Sequence, residues 1–248
     1  MQEKILNAIK ILFAFILMTI MGTIALVLRI ISFGALTNFN REYFVPAFCK
    51  IILFSIGIKV ENNLNLIQPK TPHFYTFNHD SFLDGFVLMS LGLTNARFLL
   101  SEKMLIYIPA TITSIAIGVL YIPTKKNRAR RLEYFINLEK RIKKEKTSIV
   151  GSSEGVHDYK QNISEFNRGV YHMALVCDMP VVAMFIYTPS ESNPYNYFRP
   201  FKSGTVKVEL LKIIPTQNWT LENLDMYIAD IRNLYVAKFN ELHNASTT

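Results

Sequence analysis

The sequence is poor in cysteine, with Cys49 and Cys177 the two cysteines among 248 residues. Two thiols this far apart provide neither a disulfide framework nor the paired spacing of a zinc site. Their scarcity is typical of a protein in a reducing compartment. Internal repeats and low-complexity linkers are also lacking, so the composition does not divide the chain into separate modules.

Acidic side chains are outnumbered, with 19 Asp and Glu against 27 Lys and Arg. The net charge of +8 and the pI of about 9.4 favour an anionic partner, such as a bilayer surface, a nucleic acid or a phosphorylated substrate. Nucleic acid is the least favoured of the three, because no nucleic-acid-binding motif is present and the N-terminal region is strongly hydrophobic.

The N-terminal region contains the longest uncharged run. Residues 11–28 carry no charge, lie between Lys10 and Arg29, and just reach the length of a membrane-spanning helix. A second apolar run, 43–58, contains Pro46 and Lys50 and fits an interfacial or buried helix. The sequence therefore predicts a two-helix membrane module at 1–58 and an α/β domain at 59–248. The alternative is that both helices cover the core of a soluble domain.

From residue 58 onward, short apolar runs alternate with helical patterns. The predicted strands are 57–61, 73–78, 96–100, 118–122, 147–151, 180–187 and 205–211. Because these runs are apolar almost throughout, they predict strands buried on both faces. The predicted helices include 127–146 and 220–243. This alternation predicts an α/β fold, with a mixed, largely parallel sheet flanked by helices.

The uncharged segment 104–122 is interrupted by Pro109 and Gly118. A third membrane span is possible from its length, but the two breaks favour a helix followed by a strand. Such a pair can line an apolar pocket for an acyl chain.

A polar cluster, TFNHDSFLD at 76–84, follows the predicted strand 73–78. His79 is thereby placed at the carboxyl edge of the sheet, where ligands and catalytic groups concentrate in α/β folds. A turn after Ser81 would bring Asp84 back towards the imidazole, and the carboxylate would fix its tautomer. The residues alone leave three interpretations open: a structural turn, a metal site with Asp80, or a base that deprotonates a substrate hydroxyl.

The motif N-H-x-x-x-x-D at 78–84 resembles that of the glycerolipid acyltransferases, the family of 1-acylglycerol-3-phosphate acyltransferases. Further partial matches follow in the family's order. Residues 118–124 (GVLYIPT) resemble G-x-x-[FY]-I-x-R, and 152–157 (SSEGVH) keep the Glu-Gly of F-P-E-G-T-R. Residues 166–169 (FNRG) match F-[KN]-x-G, and 179–184 (MPVVAM) loosely follow V-P-[IV]-V-P-V.

The resemblance implies acyl transfer from acyl-CoA or an acyl carrier protein to the hydroxyl of a lysophospholipid. It implies no cofactor and no metal, since the acyl donor is itself a substrate. His79 would be the general base and Asp84 its orienting partner. Asn78 and Ser81 would shape the motif. Glu154, with Gly155 at its turn, would bind the acceptor or organise the site.

Two positions depart from the family's pattern, since Thr124 and His157 stand where arginines would hold the acceptor's phosphate. Neither side chain can replace the bidentate grip of a guanidinium. Lys125, Lys126 and Arg168 are the nearby cations that could substitute. Lysophosphatidic acid is the default acceptor, and a different head group is the alternative.

Most of the excess positive charge lies in one predicted helix. Residues 125–146 hold ten Lys and Arg against three Glu, with an apolar stripe through Leu132 and Ile136. This pattern predicts a basic amphipathic helix, which could be a solvated surface or contact anionic phospholipids, CoA phosphates or an acidic carrier protein. We expect a membrane-associated protein at a cytoplasmic face, single-pass or monotopic. A non-enzymatic lipid-binding protein and a metal-dependent lipid hydrolase are the alternatives.

Overall fold

The computed structural model describes residues 2–64, 71–81, 83–124, 126, 128–155, 162–193 and 202–245. The α-helices are α1 (Gln2–Ile31), α2 (Thr37–Phe39), α3 (Val45–Ser55), α4 (Asp84–Ser90), α5 (Ile108–Ile117), α6 (Arg128–Glu145), α7 (Arg168–Val176) and α8 (Leu224–Ala245). The strands are β1 (Ile58–Asn62), β2 (Phe74–Phe77), β3 (Ala96–Ser101), β4 (Leu120–Ile122), β5 (Ser148–Ser152), β6 (Val181–Tyr187) and β7 (Gly204–Ile214).

The chain folds into two compact units, each made of segments that are not contiguous in sequence. The first unit comprises Met1–Glu61, Ser81–Arg128 and Thr188–Val206. The second unit comprises Asn62–Asp80, Ala129–Tyr187 and Lys207–Thr248. The domain boundary predicted at residue 58 stays a prediction.

The second unit is built on a mixed sheet. Strand β2 runs parallel to β5 and β6 on its two sides, with Phe74 opposite Ile149 and Val181. Strand β7 runs antiparallel to β6. Every side chain of β2 is buried, as its unbroken apolar run predicts for a strand covered on both faces. Helix α8 packs against β6 and α7, which confirms the predicted sheet flanked by helices.

The first unit has a helical core. Three helices share it: Met18, Met21 and Ala25 of α1, Cys49 and Ile52 of α3, and Ala116 and Ile117 of α5. Within this core α1 and α5 cross at close range, because a Cβ on Gly22 would lie 2.5 Å from Oγ1 of Thr113. The guanidinium of Arg29 donates to the Ile115 carbonyl in the last turn of α5, which ties the end of α1 to α5.

One helix of the described residues is long and apolar enough to cross a membrane. The stretch Ile5–Ile31 of α1 has a mean hydropathy of 2.7, and 22% of its window is buried. The predicted second membrane helix is not shown. Residues 43–58 form the end of a π-helical turn and the short α3, whose inner face joins the core. Pro46 and Cys49 are buried there, so much of the apolar character of this run is used in packing.

The segment 104–122 folds as the helix–strand pair that its two breaks predict. Pro109 lies in the first turn of α5, where its missing N–H breaks no helical hydrogen bond. Gly118 ends the helix at φ 73°, in the left-handed region that favours glycine. Strand β4 follows and pairs parallel with β3, with Leu99 opposite Leu120.

Candidate active site

The end of β2 is fixed to β6 by a side chain. The Asn78 amide donates to the Ile186 carbonyl at 2.9 Å and accepts from the Ile186 N–H at 2.7 Å. These two hydrogen bonds continue the pairing with β6 one residue beyond Phe77, where β2 ends. Asn78 is 2% exposed, so the structure gives it a motif-shaping position inside the second unit.

His79 follows directly, beyond the last residue of β2. Its backbone N–H donates to Oε1 of Glu154 at 2.9 Å. The ring meets the Phe77 ring edge-on, with centroids 6.3 Å apart. The side chain is half-buried, so the imidazole is both held and reachable. The structure thus places His79 at the carboxyl end of a strand that has parallel neighbours on both sides, as the sequence predicts.

Glu154 is a buried carboxylate with both oxygens engaged. It is 7% exposed, and its second oxygen, Oε2, accepts from the Ser164 N–H at 2.9 Å. Backbone donors are fixed in place, so they hold a carboxylate with little entropy cost. Gly155 follows at φ 74°, where a Cβ would lie 2.8 Å from Nδ2 of Asn167. Gly155 therefore suits the backbone geometry of this turn, and Glu154 holds the backbone of His79.

The F-N-R-G element at 166–169 organises the start of α7. Asn167 caps the helix by accepting from the Gly169 N–H at 3.1 Å, and its own N–H donates to the Ser153 carbonyl at 2.6 Å. The Phe166 ring stacks on Tyr171 at 5.9 Å between centroids and meets Tyr235 edge-on at 5.1 Å. These contacts pin the loop that carries Ser164.

A layer of buried hydroxyl groups lies beneath this loop. The Tyr235 hydroxyl donates to the Thr76 carbonyl at 3.0 Å, and the Tyr171 hydroxyl donates to Oγ of Ser153 at 2.9 Å. Burial raises the pKa of both phenols above the usual 10. Both tyrosines are therefore neutral donors at physiological pH, with a structural rather than an acid–base position.

The prediction that the sequence contains no G-x-S-x-G pattern is wrong, because one lies in the same place. Residues 151–155 read G-S-S-E-G and so fit G-x-S-x-G, the pattern of a hydrolase nucleophile. That pattern requires an exposed serine at a strand-to-helix turn. Ser153 is 0% exposed and accepts the Tyr171 hydroxyl, so it does not present a nucleophile.

In the first unit, Ser81 and Asp84 form the turn that starts α4. The Ser81 N–H donates to both carboxylate oxygens of Asp84, at 3.2 and 3.1 Å. Oγ of Ser81 accepts from the Leu83 N–H at 3.1 Å. Asp84 is 2% exposed, and the Ser81 N–H satisfies its buried oxygens. Ser81 is fully buried, and its backbone and side chain both form hydrogen bonds within this turn.

The predicted acceptor-binding cations are only partly described. Lys125 and His157 lie outside the described residues, and Lys126 is exposed. The Thr124 N–H donates to Oε1 of Glu102 at 2.7 Å, so a carboxylate lies beside Thr124.

Arg168, in the second unit, is engaged with the start of α8. Its Nε pairs with Asp225 at 2.8 Å, and Nη2 donates to the Leu221 carbonyl at 3.0 Å. Because both partners are exposed, this ion pair is readily exchanged for a ligand at small cost. Among the residues that the structure describes, no group of three His, Cys, Asp or Glu side chains could hold a metal ion.

The fold and this site define an α/β protein with a histidine at the carboxyl end of an interior, parallel-paired strand and with a carboxylate five residues further on. The Acyltransferase family model matches residues 57–187, more than half of the chain and the whole of this motif. The chain belongs to the Acyltransferase family.

Curated relatives bear this out. The chain is 25% identical over 248 residues to 1-acyl-sn-glycerol-3-phosphate acyltransferase of Haemophilus influenzae, covering 96% of this chain and 97% of that one. It is 24% identical over 193 residues to the Saccharomyces cerevisiae enzyme of that name, covering 77% of this chain. It is 25% identical over 175 residues to the human beta enzyme, covering 70% of this chain. The chain spans 62% of the length of the yeast and of the human relative.

A solved structure shares the fold. The 1-acyl-sn-glycerophosphate (LPA) acyltransferase PlsC from Thermotoga maritima matches with a TM-score of 0.64. The match covers 92% of this chain and 95% of that one, at 14% identity. At this identity the similarity concerns the fold alone.

Proposed function

We propose that the protein is an O-acyltransferase of phospholipid biosynthesis. It moves a fatty acyl group from acyl-CoA or an acyl carrier protein to the hydroxyl of a lysophospholipid. The default acceptor is lysophosphatidic acid, which gives phosphatidic acid. The observation that carries the proposal is the position of His79, which lies within the family match, follows β2 and is held by Glu154.

In this proposal His79 is the general base. One nitrogen of its ring takes the proton of the acceptor hydroxyl as that oxygen attacks the thioester carbonyl. The tetrahedral intermediate collapses, the C–S bond breaks, and the leaving thiolate takes the proton from the imidazolium, which releases the thiol and regenerates neutral His79. General-base assistance of this kind typically accelerates a reaction by about 10²–10⁴-fold. The nucleophile is the acceptor hydroxyl, consistent with the burial of Ser153.

Asp84 acts as the orienting carboxylate. Its oxygens are held by the Ser81 N–H at the start of α4, and the carboxylate would accept the second ring N–H of the imidazole. Such a partner fixes the tautomer and stabilises the imidazolium that forms during transfer.

Acceptor recognition is the part that departs most from relatives. Thr124 presents no guanidinium, and its N–H contacts the Glu102 carboxylate. The cations proposed to hold an acceptor phosphate are Lys125, Lys126, Arg168 and, when protonated, His157. Lys126 is exposed, and the Arg168 ion pair is exposed as well, so both can turn towards an anionic head group.

We further propose that the protein is associated with a membrane through α1. One face of this helix packs on the first-unit core, and the opposite face carries exposed aliphatic residues. These are Ile9, Leu12, Ile16, Ile20 and Val27. A helix with such an outer face is stabilised by hydrocarbon. It would be single-pass or monotopic, with the catalytic histidine at a cytoplasmic face.

The direct test is transfer by the purified protein. Labelled acyl-CoA and acyl carrier protein are offered with a panel of lysophospholipids that differ in head group. We expect product with at least one acceptor, and its loss in His79→Ala and Asp84→Asn. Full transfer by His79→Ala would overturn the mechanism. Hydrolysis that is lost with chelator and restored by metal would identify a metal-dependent hydrolase. Lipid binding without any turnover would identify a binding protein.

A further inference from the structure

The helix that ends the described chain reaches the catalytic histidine through two intermediates. Arg232 of α8 donates from Nε to the Ser164 carbonyl at 2.9 Å and from Nη2 to the Ile163 carbonyl at 2.7 Å. We propose that Arg232 is a positioning residue for His79, acting through Ser164 and Glu154. The proposal rests on the acyltransferase function proposed above.

One peptide group connects the two ends of this relay. The Ile163 carbonyl and the Ser164 N–H belong to the same planar peptide unit, and in the trans form they point in opposite directions. The carbonyl accepts from Arg232, and the N–H donates to Oε2 of Glu154 at 2.9 Å. A cation on the carbonyl side polarises the peptide and strengthens the hydrogen bond on the N–H side.

Glu154 then passes the constraint to His79. Its two oxygens face different donors, the Ser164 N–H through Oε2 and the His79 N–H through Oε1. If one donor moves, the carboxylate can turn, and the hydrogen bond to the other donor lengthens. The backbone of His79 is therefore set by a loop whose own position depends on α8.

An arginine suits this task better than a lysine. Its planar fork contacts two successive carbonyls at once, whereas an ammonium group is a point charge without that geometry. Arg232 is half-buried, which limits competition from water. The loop residue that it holds, Ile163, is 6% exposed, so the hydrogen bonds lie at the edge of the core.

Loss of this relay should lower kcat more than it changes KM, because the base is displaced while the acceptor site remains. Misplacement of a catalytic group by about 1 Å can cost on the order of 100-fold. We expect a decrease in kcat of roughly 10- to 100-fold in Arg232→Met and a partial recovery in Arg232→Lys.

The matched control is Lys238→Met on the same helix. Lys238 pairs with Glu209 at 2.9 Å and ties α8 to β7 rather than to the loop. Arg232→Met and Lys238→Met each remove a cation from α8, so a general loosening of the helix would affect both. A decrease in kcat confined to Arg232→Met supports the relay, whereas equal decreases would overturn it.

A double-mutant cycle tests the route. If Arg232 acts through Glu154, then Arg232→Met should have little further effect on kcat in a Glu154→Gln background. Multiplicative effects of the two substitutions would overturn the proposal.

Hydrogen exchange tests the relay independently of turnover. In Arg232→Met, peptides that contain His79 and Ser164 should exchange their amides faster than in the wild type, whereas in Lys238→Met they should not. Unchanged exchange at both segments would contradict the relay even in an active enzyme. If the wild type transfers no acyl group but this exchange pattern is found, the proposed function fails and the positioning contact stands.

Discussion

The backbone N–H of His79 donates to Oε1 of Glu154 across 75 positions of sequence. This contact joins the first and third motif blocks of the chain. It explains physically why the Glu-Gly pair of the F-P-E-G-T-R pattern is kept, although the rest of that block departs from the pattern. Glu154 holds the backbone of His79, the proposed base, and Gly155 permits the turn.

Substitution of Glu154 should therefore impair the chemical step. In Glu154→Gln the amide can still accept one N–H, but its own NH₂ faces a second backbone donor. We expect kcat to decrease roughly 10- to 100-fold, with KM changed less than three-fold, measured with saturating acyl donor. Glu165→Gln, at an exposed position eleven residues later, is the control and should retain wild-type rates. A loss confined to KM would instead place Glu154 in acceptor binding.

Substitution of Gly155 should cost stability. Its φ of 74° and the 2.8 Å approach to the Asn167 amide leave no room for a methyl group. We expect Gly155→Ala to lower the free energy of unfolding by about 1–2 kcal/mol, which a lower melting temperature would report. Gly85→Ala is the control, since a Cβ there meets no atom within 4 Å. Because Gly85 is helical, that change should be neutral or stabilising. Equal melting temperatures in both variants would contradict the assigned geometry.

Substitution of Gly22 tests the packing of α1. A side chain there would collide with Thr113, so Gly22→Val should separate α1 from α5. Overpacking of this kind typically costs about 1–3 kcal/mol, visible as a lower melting temperature in detergent. Thr23→Val, on the exposed side of the same helix, should have little effect. If both variants have the melting temperature of the wild type, α1 does not depend on α5 for its position.

The exposed face of α6 should contribute to binding of anionic membranes. Arg128, Leu132, Ile136, Lys140 and Lys144 recur every fourth residue and are all exposed. Each cation near an anionic surface is worth about 1 kcal/mol, so Lys140→Gln with Lys144→Gln should weaken binding roughly 30-fold. The measurement is sedimentation with phosphatidylglycerol-containing vesicles, compared with vesicles of phosphatidylcholine alone.

The control for charge is a double substitution on β7. Lys207→Gln with Lys212→Gln removes the same net charge from another exposed element. It should leave the preference for anionic vesicles near that of the wild type. Equal losses in the two double variants would show that only total charge matters and that α6 has no particular part.

The sheet and the motif could be predicted from the sequence because their signals are local. Apolar runs indicated each strand to within a few residues, and Pro109 with Gly118 correctly divided 104–122 into a helix and a strand. The spacing of His79 and Asp84 stood out because polar residues are rare in that part of the chain.

Other features could not be predicted because their causes are not local. The apolar run at 43–58 fitted either an interfacial or a buried helix, and the sequence could not show that the core of the first unit uses much of its apolar surface. Ser164 contributes a backbone N–H, which every residue except proline has, so no side-chain pattern marks it. Arg232 lies 68 positions from the carbonyl that it contacts and resembles any other helix-surface cation. The G-x-S-x-G pattern around Ser153 is present in the sequence but was not recognised. The burial of Ser153, which the sequence does not show, excludes it as a nucleophile.

The hydrogen bonds between Thr76 and Tyr235 join residues 159 positions apart. During synthesis the hydrophobic helix α1 is made early, whereas α8, which carries Tyr235 and Arg232, is made late. At roughly 5–20 residues per second, about ten seconds or more separate the two. The nascent chain can reach a bilayer through α1 while the segment around His79 still lacks Tyr235 and Arg232. Under the proposed function, membrane binding through α1 thus precedes completion of the site, and a ribosome-bound chain that ends before α8 should bind membranes without transferring acyl groups.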